Sequence, residues 1–422
     1  MKKKHSPIYL RKIEVIGFLL RTLIFEGIKS RIIREAYSLR KISKILKLRK
    51  KLLLTKIIKF NNKYYSTLSI PGSPSPAYNN MIKNGGMNFS AAGTDLKKQI
   101  DTVLLAITSK CMLKCSYCYE KQNLNSDIAI PGYKWIEIVE QLQARGTSNI
   151  ILTGGEPLTD FEKLLKILEA GDKNLSDFHI HTSGYSITKE KVKSLKEAGL
   201  TAAGVGLDDY RPKLHNKIRG NNSFEHAVKA LRMFNEAGIL TYVNFTPGSK
   251  IMNLDDLLNY LSFVKSLNVS LVELLEPRRC GGFINYNIEN LFNKSDKNLL
   301  NEFTVKANTE KKYKNHPLVY YLAHIEGKDQ MGCMMGGLSH FYIDSAGNVN
   351  PCVFMPVSFG NIINDNFDKI FKRMRSVINK PIHSECPSIL MSESIKSKIL
   401  DNEVIPVPFT SISADWKKIL IN

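Results

Sequence analysis

The sequence of 422 residues has no long apolar run and no recognisable secretion signal. Its N-terminus is basic, but no clean apolar segment with a small-residue cleavage site follows, as a signal peptide requires. The longest apolar run in that region, residues 15–20, is interrupted by Gly17 and is far too short to span a bilayer. We therefore expect a cytoplasmic protein.

The cysteines are odd in number and unevenly spread, which argues against a secreted fold held by disulfides. The chain has seven cysteines, and three of them, Cys111, Cys115 and Cys118, lie in one octapeptide. Such crowding favours thiolate ligands in a reducing cytosol over a framework of disulfide pairs. Apolar material is ample, since 43% of the residues are hydrophobic and 23% are charged, as in globular proteins.

Acidic residues are scarce in the first 60 positions, where 18 Lys and Arg residues accompany only three Glu residues. This segment therefore carries +15 of the formal net charge of +21. Apolar residues recur among its lysines at the spacing of one helix face, namely Ile42, Ile45, Leu46, Leu53 and Ile57. The pattern predicts a basic amphipathic helix.

Three roles are open for this helix. It can pack its apolar stripe on the main domain and leave its lysines solvated, or residues 1–60 can lie on the anionic inner face of a membrane. Nucleic acid is the third partner; Tyr64 and Tyr65 follow the helix, but no recognisable nucleic-acid module is present, which disfavours this role. We predict a basic helical extension, a main domain and a C-terminal domain at residues 1–85, 95–310 and 320–422.

From about position 101, apolar strand-like runs alternate with amphipathic helical patterns. Strands are predicted at residues 102–108, 149–153, 178–182, 202–207, 240–246 and 269–275. Helices are predicted between them at residues 133–144, 161–170, 189–198, 223–237 and 254–267. Gly146, Gly199 and Gly238 stand where helices should end. The expected fold class is α/β, a partial (β/α)6 TIM-like barrel with its ligands at the carboxyl ends of the strands.

The strongest chemical signal follows the first predicted strand and reads Cys111-Met-Leu-Lys-Cys115-Ser-Tyr-Cys118. Three thiolates in one tight loop can bind three corners of a [4Fe–4S] cluster and leave its fourth iron open to a Lewis-basic ligand. A zinc site is the alternative, but such a site usually closes with four ligands, and no nearby His or Cys supplies the fourth. Lys110 and Lys114 are expected to favour thiolate over thiol.

The spacing of this motif resembles that of the radical S-adenosylmethionine (radical SAM) superfamily, and the resemblance extends along most of residues 101–275. It implies that the three cysteines hold a [4Fe–4S] cluster and that S-adenosylmethionine (SAM) chelates the open iron. The second predicted strand ends in Gly154-Gly155-Glu156-Pro157, which resembles the family motif whose backbone and glutamate hold the methionyl amino group of SAM. Glycines permit close approach of the backbone, and a carboxylate complements an ammonium group.

Weaker similarities extend the resemblance along the chain. Tyr117 stands where the family has an aromatic residue against the adenine of SAM. Gly206-Leu-Asp208, with Arg219 further on, is similar to another family stretch, although Gly206 stands where a serine is common. Asp208 and Arg219 are therefore candidates either for SAM contacts or for a local salt bridge.

A second set of cysteines lies beyond the predicted main domain. The interval from Cys333 through Gly347 to Cys352, with Cys386 further on, is similar to the opening of the SPASM and shorter twitch extensions of radical SAM enzymes, in which such cysteines bind an auxiliary Fe–S cluster. Gly347 is predicted to supply the positive φ of a hairpin turn that brings Cys333 and Cys352 together. At most one auxiliary cluster is expected. Its fourth ligand is Cys280, the substrate or a non-cysteine group, and buried unligated thiols are the alternative.

The resemblance implies an enzyme. An external donor of the flavodoxin or ferredoxin type supplies one electron, and SAM is cleaved to methionine and a 5′-deoxyadenosyl radical that abstracts hydrogen from the substrate. The C-terminal extension favours a peptide or protein substrate, the basic N-terminus a lipid, and a small metabolite is a third class. Glu273 and Glu276 either face this substrate or satisfy Arg278 and Arg279. A non-catalytic Fe–S electron carrier or regulator is the other class, which the intact residues 154–157 disfavour.

Overall fold

The computed structural model describes residues 6–11, 13–22, 39–84, 100–287, 292–401 and 404–418. The elements of the N-terminal extension are, in chain order, β1 (Ile8–Arg11), α1 (Ile13–Arg21), α2 (Leu39–Lys51), β2 (Lys56–Phe60), β3 (Lys63–Tyr65) and α3 (Pro76–Lys83). Strand β2 lies between β1 and β3 and pairs antiparallel with both. Ser75 begins α3 by accepting a hydrogen bond from the Tyr78 amide at 3.1 Å.

The basic amphipathic helix is shorter than its sequence pattern predicts. Helix α2 ends at Lys51, Leu53 adopts a φ of +58°, and Ile57 lies in β2, so the prediction of one helix through Ile57 is wrong. The β-branched pair that begins with Ile57 favours a strand once the chain has turned. Ile45 is buried, as the role of packing on the main domain requires, whereas the side chain of Ile42 lies outside the described residues. No helix in the described ranges has the length and apolar character needed to cross a bilayer.

The predicted alternation of strands and helices is confirmed over the main domain. The strands are β4 (Thr102–Thr108), β5 (Asn149–Gly154), β6 (Asp177–Thr182), β7 (Ala202–Gly206), β8 (Leu240–Phe245) and β9 (Leu271–Leu274). The helices are α4 (Gly132–Ala144), α5 (Phe161–Ala170), α6 (Lys189–Glu197), α7 (Pro212–Arg219), α8 (Ser223–Glu236) and α9 (Leu254–Ser266). Sequence reasoning missed α7, because this short helix buries only His215 and shows no apolar period.

The sheet is wider than the six predicted strands. After α10 (Lys294–Thr309) the chain adds β10 (Leu318–Tyr321), the short helix α11 (Leu322–Ile325), β11 (His340–Ile343) and β12 (Val349–Asn350). The strand order is β10-β9-β8-β7-β6-β5-β4-β11-β12, and every neighbouring pair is parallel except β11 and β12. Since β10 and β12 form opposite edges of this order, the barrel is partial and open between them.

Alternation along the strands separates the core from the barrel lumen. In β4, Val103, Leu105 and Ile107 belong to the core beneath the helices, whereas Thr102 and Leu104 line a cavity inside the barrel. The same alternation in the neighbouring strands gives the lumen its own set of side chains, among which polar residues are possible without disturbing the core.

The chain after β12 completes a small α+β domain. Its elements are β13 (Val357–Ser358), α12 (Phe367–Val377), α13 (Pro387–Leu390), α14 (Ser392–Leu400), β14 (Val407–Pro408) and α15 (Phe409–Trp416). The predicted hairpin turn is confirmed, because Gly347 has a φ of +90° and the Asp344 amide donates to the Asn348 carbonyl at 3.0 Å. Strands β11 and β12 on either side of this turn bring the C-terminal domain directly onto β4.

The N-terminal extension forms the floor of the barrel. Apolar residues of the extension pack on the amino-terminal ends of the barrel strands, and this cluster contains Leu52, Leu54, Ile58, Phe60, Ala202, Leu240, Leu271 and Leu318. The Tyr9 hydroxyl also donates to the Val269 carbonyl at 3.0 Å. Of the roles predicted for the extension, the structure therefore shows packing on the main domain.

Candidate active site

The cysteine loop runs from the end of β4 over the carboxyl ends of the strands, where ligands were predicted to bind. Asn125 holds one end of the loop, since its side chain accepts from the Cys111 amide at 3.0 Å and donates to the Cys111 carbonyl at 3.1 Å. Gly281 lies so close to the other end that a Cβ there would come within 2.0 Å of the Cys118 carbonyl oxygen. The loop is therefore fixed at both ends by contacts of the backbone.

Burial dominates the acidity of the three thiols. It raises the pKa of Cys111 to about 11 and that of Cys118 to about 12, and the nearby Arg219 guanidinium only partly offsets this at Cys111. Lys110 and Lys114 are exposed and are not among the main causes of these pKa shifts, so their effect on the thiols stays a prediction. Ligation of iron must therefore release the thiol protons.

Gly154 and Gly155 allow β5 to end directly against the cysteine loop. Gly154 has a φ of +138°, and a Cβ on it would come within 2.3 Å of the Thr108 carbonyl oxygen. A Cβ on Gly155 would lie equally close, at 2.3 Å, to the Lys110 carbonyl oxygen. Both glycines also line the cavity above the sheet. They expose backbone to this cavity because no side chain can be accommodated at either position.

The Glu156 carboxylate is buried, and its hydrogen-bonding capacity is filled by the protein. It accepts from the Leu158 amide at 3.1 Å, the Thr182 hydroxyl at 2.6 Å, and the Ser183 amide and hydroxyl at 2.7 and 2.5 Å. Four donors match the roughly four acceptor sites of a carboxylate. In this structure Glu156 therefore positions the end of β5 against β6, while Pro157 begins the next turn and the backbone of the motif faces the cavity.

Tyr117, Asp208 and Arg219 form one buried group beside the cysteine loop. The Arg219 Nε lies 2.5 Å from the Asp208 Oδ2, and the Asp208 side chain is fully buried. The Tyr117 hydroxyl donates to Asp208 at 2.6 Å and accepts from the Arg219 guanidinium. The local salt bridge considered for Asp208 and Arg219 is therefore present. Tyr117 and Arg219 also line the cavity, so this group holds both side chains at the predicted SAM pocket.

The same group explains why Gly206 stands where the family often has a serine. A Cβ on Gly206 would come within 2.0 Å of the Arg219 Nη1. In this chain the guanidinium of Arg219 occupies the space that a side chain at position 206 would need. The departure from the family pattern is thus coupled to the position of Arg219.

A polar cluster lies deeper in the lumen, on β6, β8 and β9. The His181 Nε2 lies 2.9 Å from the Tyr242 hydroxyl, and the Asn244 amide donates to the Glu273 carboxylate at 2.9 Å. Burial lowers the pKa of His181 to about 3 and raises that of Glu273 to about 7, so both side chains are held towards their neutral forms. Sequence reasoning missed Tyr242 and Asn244, whose only signal was polarity at inward-facing positions of an apolar strand.

The charged residues that follow β9 form ion pairs with one another and with the C-terminal domain. Glu276 pairs with Arg278 at 2.5 Å, and Arg279 pairs with Glu393. Both Glu273 and Glu276 line the cavity. Of the two glutamates considered for substrate contacts, Glu276 is paired with an arginine, whereas Glu273 accepts a hydrogen bond from the Asn244 amide.

The second set of cysteines is drawn together by the C-terminal domain. Cys333 pairs through its backbone with Ile382, and burial raises its pKa, with further contributions from the charges of Glu326, Cys386 and Cys352. Burial likewise raises the pKa of Cys280, and the charges of Cys352 and Cys386 add to the shift. Cys280, one of the options considered for the fourth ligand, therefore lies with Cys333, Cys352 and Cys386.

One cavity of about 380 Å³ joins these groups, a size typical of small-molecule sites. Its wall near the carboxyl ends of the strands includes Cys111, Cys115, Cys118, Gly154, Gly155, Tyr117, Arg219, Asn244, Glu273, Cys280 and Cys352. In the described part of the chain, no three His, Cys, Asp or Glu side chains are arranged as ligands of a single metal ion. A cubane has different needs, since each of its thiolates binds a different iron. Three thiols and an exposed glycine backbone on one cavity fit a cluster with SAM beside it.

Two family models match this chain. The model described as the Radical SAM superfamily matches residues 105–264, and the model of an iron–sulfur cluster-binding domain, SPASM, matches residues 333–388. The first covers the strands that carry the cysteine loop and the glycine motif. The second covers three of the four cysteines of the second set.

Curated relatives carry the name GTP 3′,8-cyclase. The protein of Nautilia profundicola is 26% identical over 297 residues, which are 68% of this chain and 92% of that protein. The protein of Lactiplantibacillus plantarum is 29% identical over 175 residues, 40% of this chain, and the match spans about half of that protein, 52%.

Solved structures share the fold at low identity. Streptococcus suis SuiB bound to its precursor peptide SuiA is 16% identical with a TM-score of 0.54, over 86% of each chain. anSMEcpe bound to AdoMet and a peptide is 18% identical with a TM-score of 0.51, over 65% of this chain and 81% of that one. These structures show the shared fold, and the two family models show that the chain belongs to the radical SAM superfamily and carries a C-terminal SPASM domain.

Proposed function

We propose that this enzyme abstracts a hydrogen atom from a substrate held in the barrel lumen, next to SAM bound at the cysteine loop. The observation that carries the proposal is a single cavity that joins the thiols of the cysteine loop, the Gly154–Gly155 backbone and the Asn244–Glu273 pair. SAM at the cysteine loop and a substrate in the lumen would thus share one cavity.

When bound, the cluster and SAM supply a 5′-deoxyadenosyl radical that removes hydrogen from an unactivated carbon. The residues of this chain bind, orient and exclude water. Cys111, Cys115 and Cys118 would hold the cluster, and the exposed backbone at residues 154–155 would take the methionyl end of SAM. Tyr117, locked by Asp208 and Arg219, would flank its adenine. A dry, fixed site protects a reactive species from side reactions.

A peptide or protein is the first substrate candidate. Support comes from the solved structures with a similar fold, of which SuiB with SuiA and anSMEcpe each contain a bound peptide. The Asn244–Glu273 pair can serve such a substrate, because the Asn244 Oδ1 is buried without a hydrogen-bond partner in the described structure and can accept from a backbone amide.

A lipid is the second candidate, favoured by the apolar character of the floor below the lumen, where the N-terminal extension contributes leucine and isoleucine side chains to the same cavity. A nucleoside triphosphate, the substrate in the name of the curated relatives, is not proposed. Arg219 and Arg278, which line the cavity, are paired with the carboxylates of Asp208 and Glu276, and Glu273 adds a further carboxyl group.

Anaerobic reconstitution with iron, sulfide, SAM and dithionite tests the chemistry. We expect 5′-deoxyadenosine from the native chain and none from Cys115→Ala. Met112→Ala is the matched control, since Met112 lies in the same loop with 64% of its surface exposed, and this variant should keep the activity. Absence of 5′-deoxyadenosine from a native chain with a verified cluster would contradict the proposal and favour an electron carrier.

The transfer of deuterium from substrate to 5′-deoxyadenosine identifies the substrate class. Deuterated peptides or deuterated lipids are supplied in turn, and deuterium in 5′-deoxyadenosine is measured by mass spectrometry. Enrichment from peptides supports the first candidate, and enrichment from lipids supports the second.

A further inference from the structure

We propose that the apolar chamber between the N-terminal extension and the barrel holds the hydrocarbon chain of a lipid substrate whose reactive carbon lies in the lumen. We call this space the floor chamber. It is lined by Phe18, Ile45, Leu48, Leu52, Leu68 and Ile70. The proposal rests on the hydrogen-abstraction function above and takes its second substrate candidate further.

The floor chamber is continuous with the site of chemistry. The cavity that the cysteine loop lines at one end passes Leu104 and Ile151 on one wall and reaches Leu48 and Leu68 in the extension. The lumen therefore has two kinds of wall. Asn244 and its hydrogen-bonded neighbours form a polar wall, whereas Leu104 and Ile151 continue the apolar surface of the floor. This division suits an amphipathic molecule with one polar group and one long apolar chain.

Specific hydrogen bonds attach the extension to the barrel and so define the walls of the chamber. The Lys56 side chain is fully buried in β2 and donates to the carbonyls of Tyr313 and His316 at 2.8 and 3.0 Å. The Asn149 side chain at the start of β5 donates to the Leu68 carbonyl at 3.1 Å, which fixes the loop that closes the chamber. Each contact joins the extension to the barrel across a large sequence separation.

Several polar groups at the chamber wall are paired within the protein, whereas the Tyr78 hydroxyl and the Thr102 Oγ1 are buried there without a partner. The Arg49 guanidinium donates to the Lys56 carbonyl at 2.5 Å, and the Ser339 hydroxyl donates to the Asp101 carboxylate at 2.7 Å. A peptide backbone placed here would find few free partners for its amides and carbonyls, and burying them unpaired is costly. A hydrocarbon chain has no such requirement and gains from removal of its surface from water. The chamber therefore favours a lipid over a peptide.

Helix α2 presents a second feature that fits a lipid. Its chamber face carries Ile45 and Leu48, whereas Lys47, Lys50 and Lys51 are exposed on the helix. A helix with one apolar face and one basic face is attracted to anionic bilayer surfaces. Here the apolar face lines the chamber instead of meeting the bilayer, so the lysines can bring the enzyme to a membrane while the chamber receives an acyl chain.

Binding of cis-parinaric acid, a fluorescent fatty acid, to the reconstituted full-length enzyme tests the chamber directly. Leu48→Arg places a charge in the chamber and Leu68→Trp fills it without a charge, and each should weaken binding by about tenfold or more. The matched control is Ile13→Arg in the same extension, whose side chain is 83% exposed and does not line the cavity, and which should bind like the native chain. Equal binding by the native chain and both chamber variants would overturn the proposal.

Isotope transfer links the chamber to the chemistry. With vesicles of phosphatidylglycerol bearing deuterated acyl chains, abstraction moves one deuterium atom from an acyl chain to 5′-deoxyadenosine and leaves a carbon radical on the lipid. We expect enrichment with the native chain and Ile13→Arg, and a loss of enrichment with Leu48→Arg and Leu68→Trp. Formation of unlabelled 5′-deoxyadenosine by the two chamber variants shows that they fold.

The outcomes separate the two proposals. Unlabelled 5′-deoxyadenosine without lipid transfer or parinaric acid binding overturns the chamber proposal and leaves hydrogen abstraction standing. Parinaric acid binding that the chamber variants lose, in an enzyme that makes no 5′-deoxyadenosine, supports the chamber and contradicts the proposed function. Enrichment only from a deuterated peptide would assign the lumen to the first substrate candidate and overturn the lipid proposal.

Discussion

At the scale of single residues, position 206 shows how one side chain decides what its neighbour can be. The guanidinium of Arg219 fills the space where a Cβ on Gly206 would lie, and it is held there by Asp208 and Tyr117. The arrangement of Tyr117, Asp208 and Arg219 thus depends on one glycine. A buried ion pair is costly to disturb, because the separated charges lose their partner inside the protein.

We expect Gly206→Ala to push Arg219 away from Asp208, to destabilise the fold by about 2–4 kcal/mol and to weaken SAM binding. Urea denaturation and calorimetric SAM titration of the anaerobic protein measure the two effects. Gly132→Ala is the matched control, since its Cβ would meet no atom closer than the Lys163 Cγ at 3.5 Å. Native SAM affinity in Gly206→Ala would show that the position of Arg219 is not required.

Glu273 makes stability depend on pH in a defined window. Burial raises its pKa to about 7 from an ordinary value of 4.5, so the unfolded chain loses this proton at lower pH than the folded one. The contribution of Glu273 is therefore fully present below pH 4.5 and is lost as pH rises to about 7. Glu273→Gln should remove about 2 kcal/mol of this decline, as urea midpoints measured from pH 5 to pH 8 would show. An identical decline in both proteins would contradict this role.

At the scale of elements, strand β2 attaches the N-terminal extension to the barrel through the side chain of Lys56. Its Lys56 side chain is fully buried against carbonyls near α10, and burial lowers its pKa to about 7. The Thr55 hydroxyl contacts the Asn308 carbonyl, and the Asn308 amide donates back to Leu53 at 2.9 Å. These polar contacts give the extension one defined position beneath the barrel. Apolar packing alone does not specify that position.

Lys56→Met tests this docking through pH dependence. The folded pKa of about 7 lies below the ordinary lysine value of 10.5, so the unfolded chain binds more protons between these two pH values. Native stability should therefore rise with pH across this window. Lys56→Met should abolish that rise and lower stability near pH 9 by about 1–3 kcal/mol, because two carbonyls lose their donor. Lys59→Met on the same strand is the control and should retain the rise in urea denaturation.

At the scale of the whole molecule, the two cysteine sets are joined by the segment that follows β9. Cys280 belongs to the second set, while the Gly282 amide two residues later donates to the Cys118 carbonyl at 2.9 Å. The charge of Cys118 also contributes to the raised pKa of Cys280. The C-terminal domain and the cysteine loop therefore share one short connection, and an auxiliary cluster bound by the second set would lie near that loop.

We expect about eight iron and eight sulfide atoms per reconstituted chain, the content of two cubane clusters. Cys280→Ala should reduce both to about four, because the second set loses a ligand while the cysteine loop keeps all three of its own. Ser388→Ala, which removes only a hydroxyl 3.1 Å from the Cys386 sulfur, is the control and should retain both clusters. Full iron content in Cys280→Ala would assign the fourth ligand elsewhere.

The features that the sequence predicts correctly depend on interactions between residues that are close together in the chain. Strand and helix positions such as 102–108 and 161–170 depend on local periodicity, and they match β4 and α5 at both ends. The cysteine spacing and residues 154–157 are likewise local, because a short loop and a strand end contain all of their members. By contrast, the helix predicted through Ile57 failed, since a turn at Leu53 interrupts a pattern that periodicity alone continues.

Cysteine spacing, the glycine motif and the alternation of strands and helices by themselves determined that this chain builds a partial barrel with a radical SAM loop. Only the tertiary structure decided that Glu156 is occupied by Thr182 and Ser183, that Cys280 joins the second cysteine set, and that the extension closes the floor. The reason is physical. Periodicity and short motifs record contacts between near neighbours, whereas these pairings join distant segments that meet only when the strands are assembled in their final order.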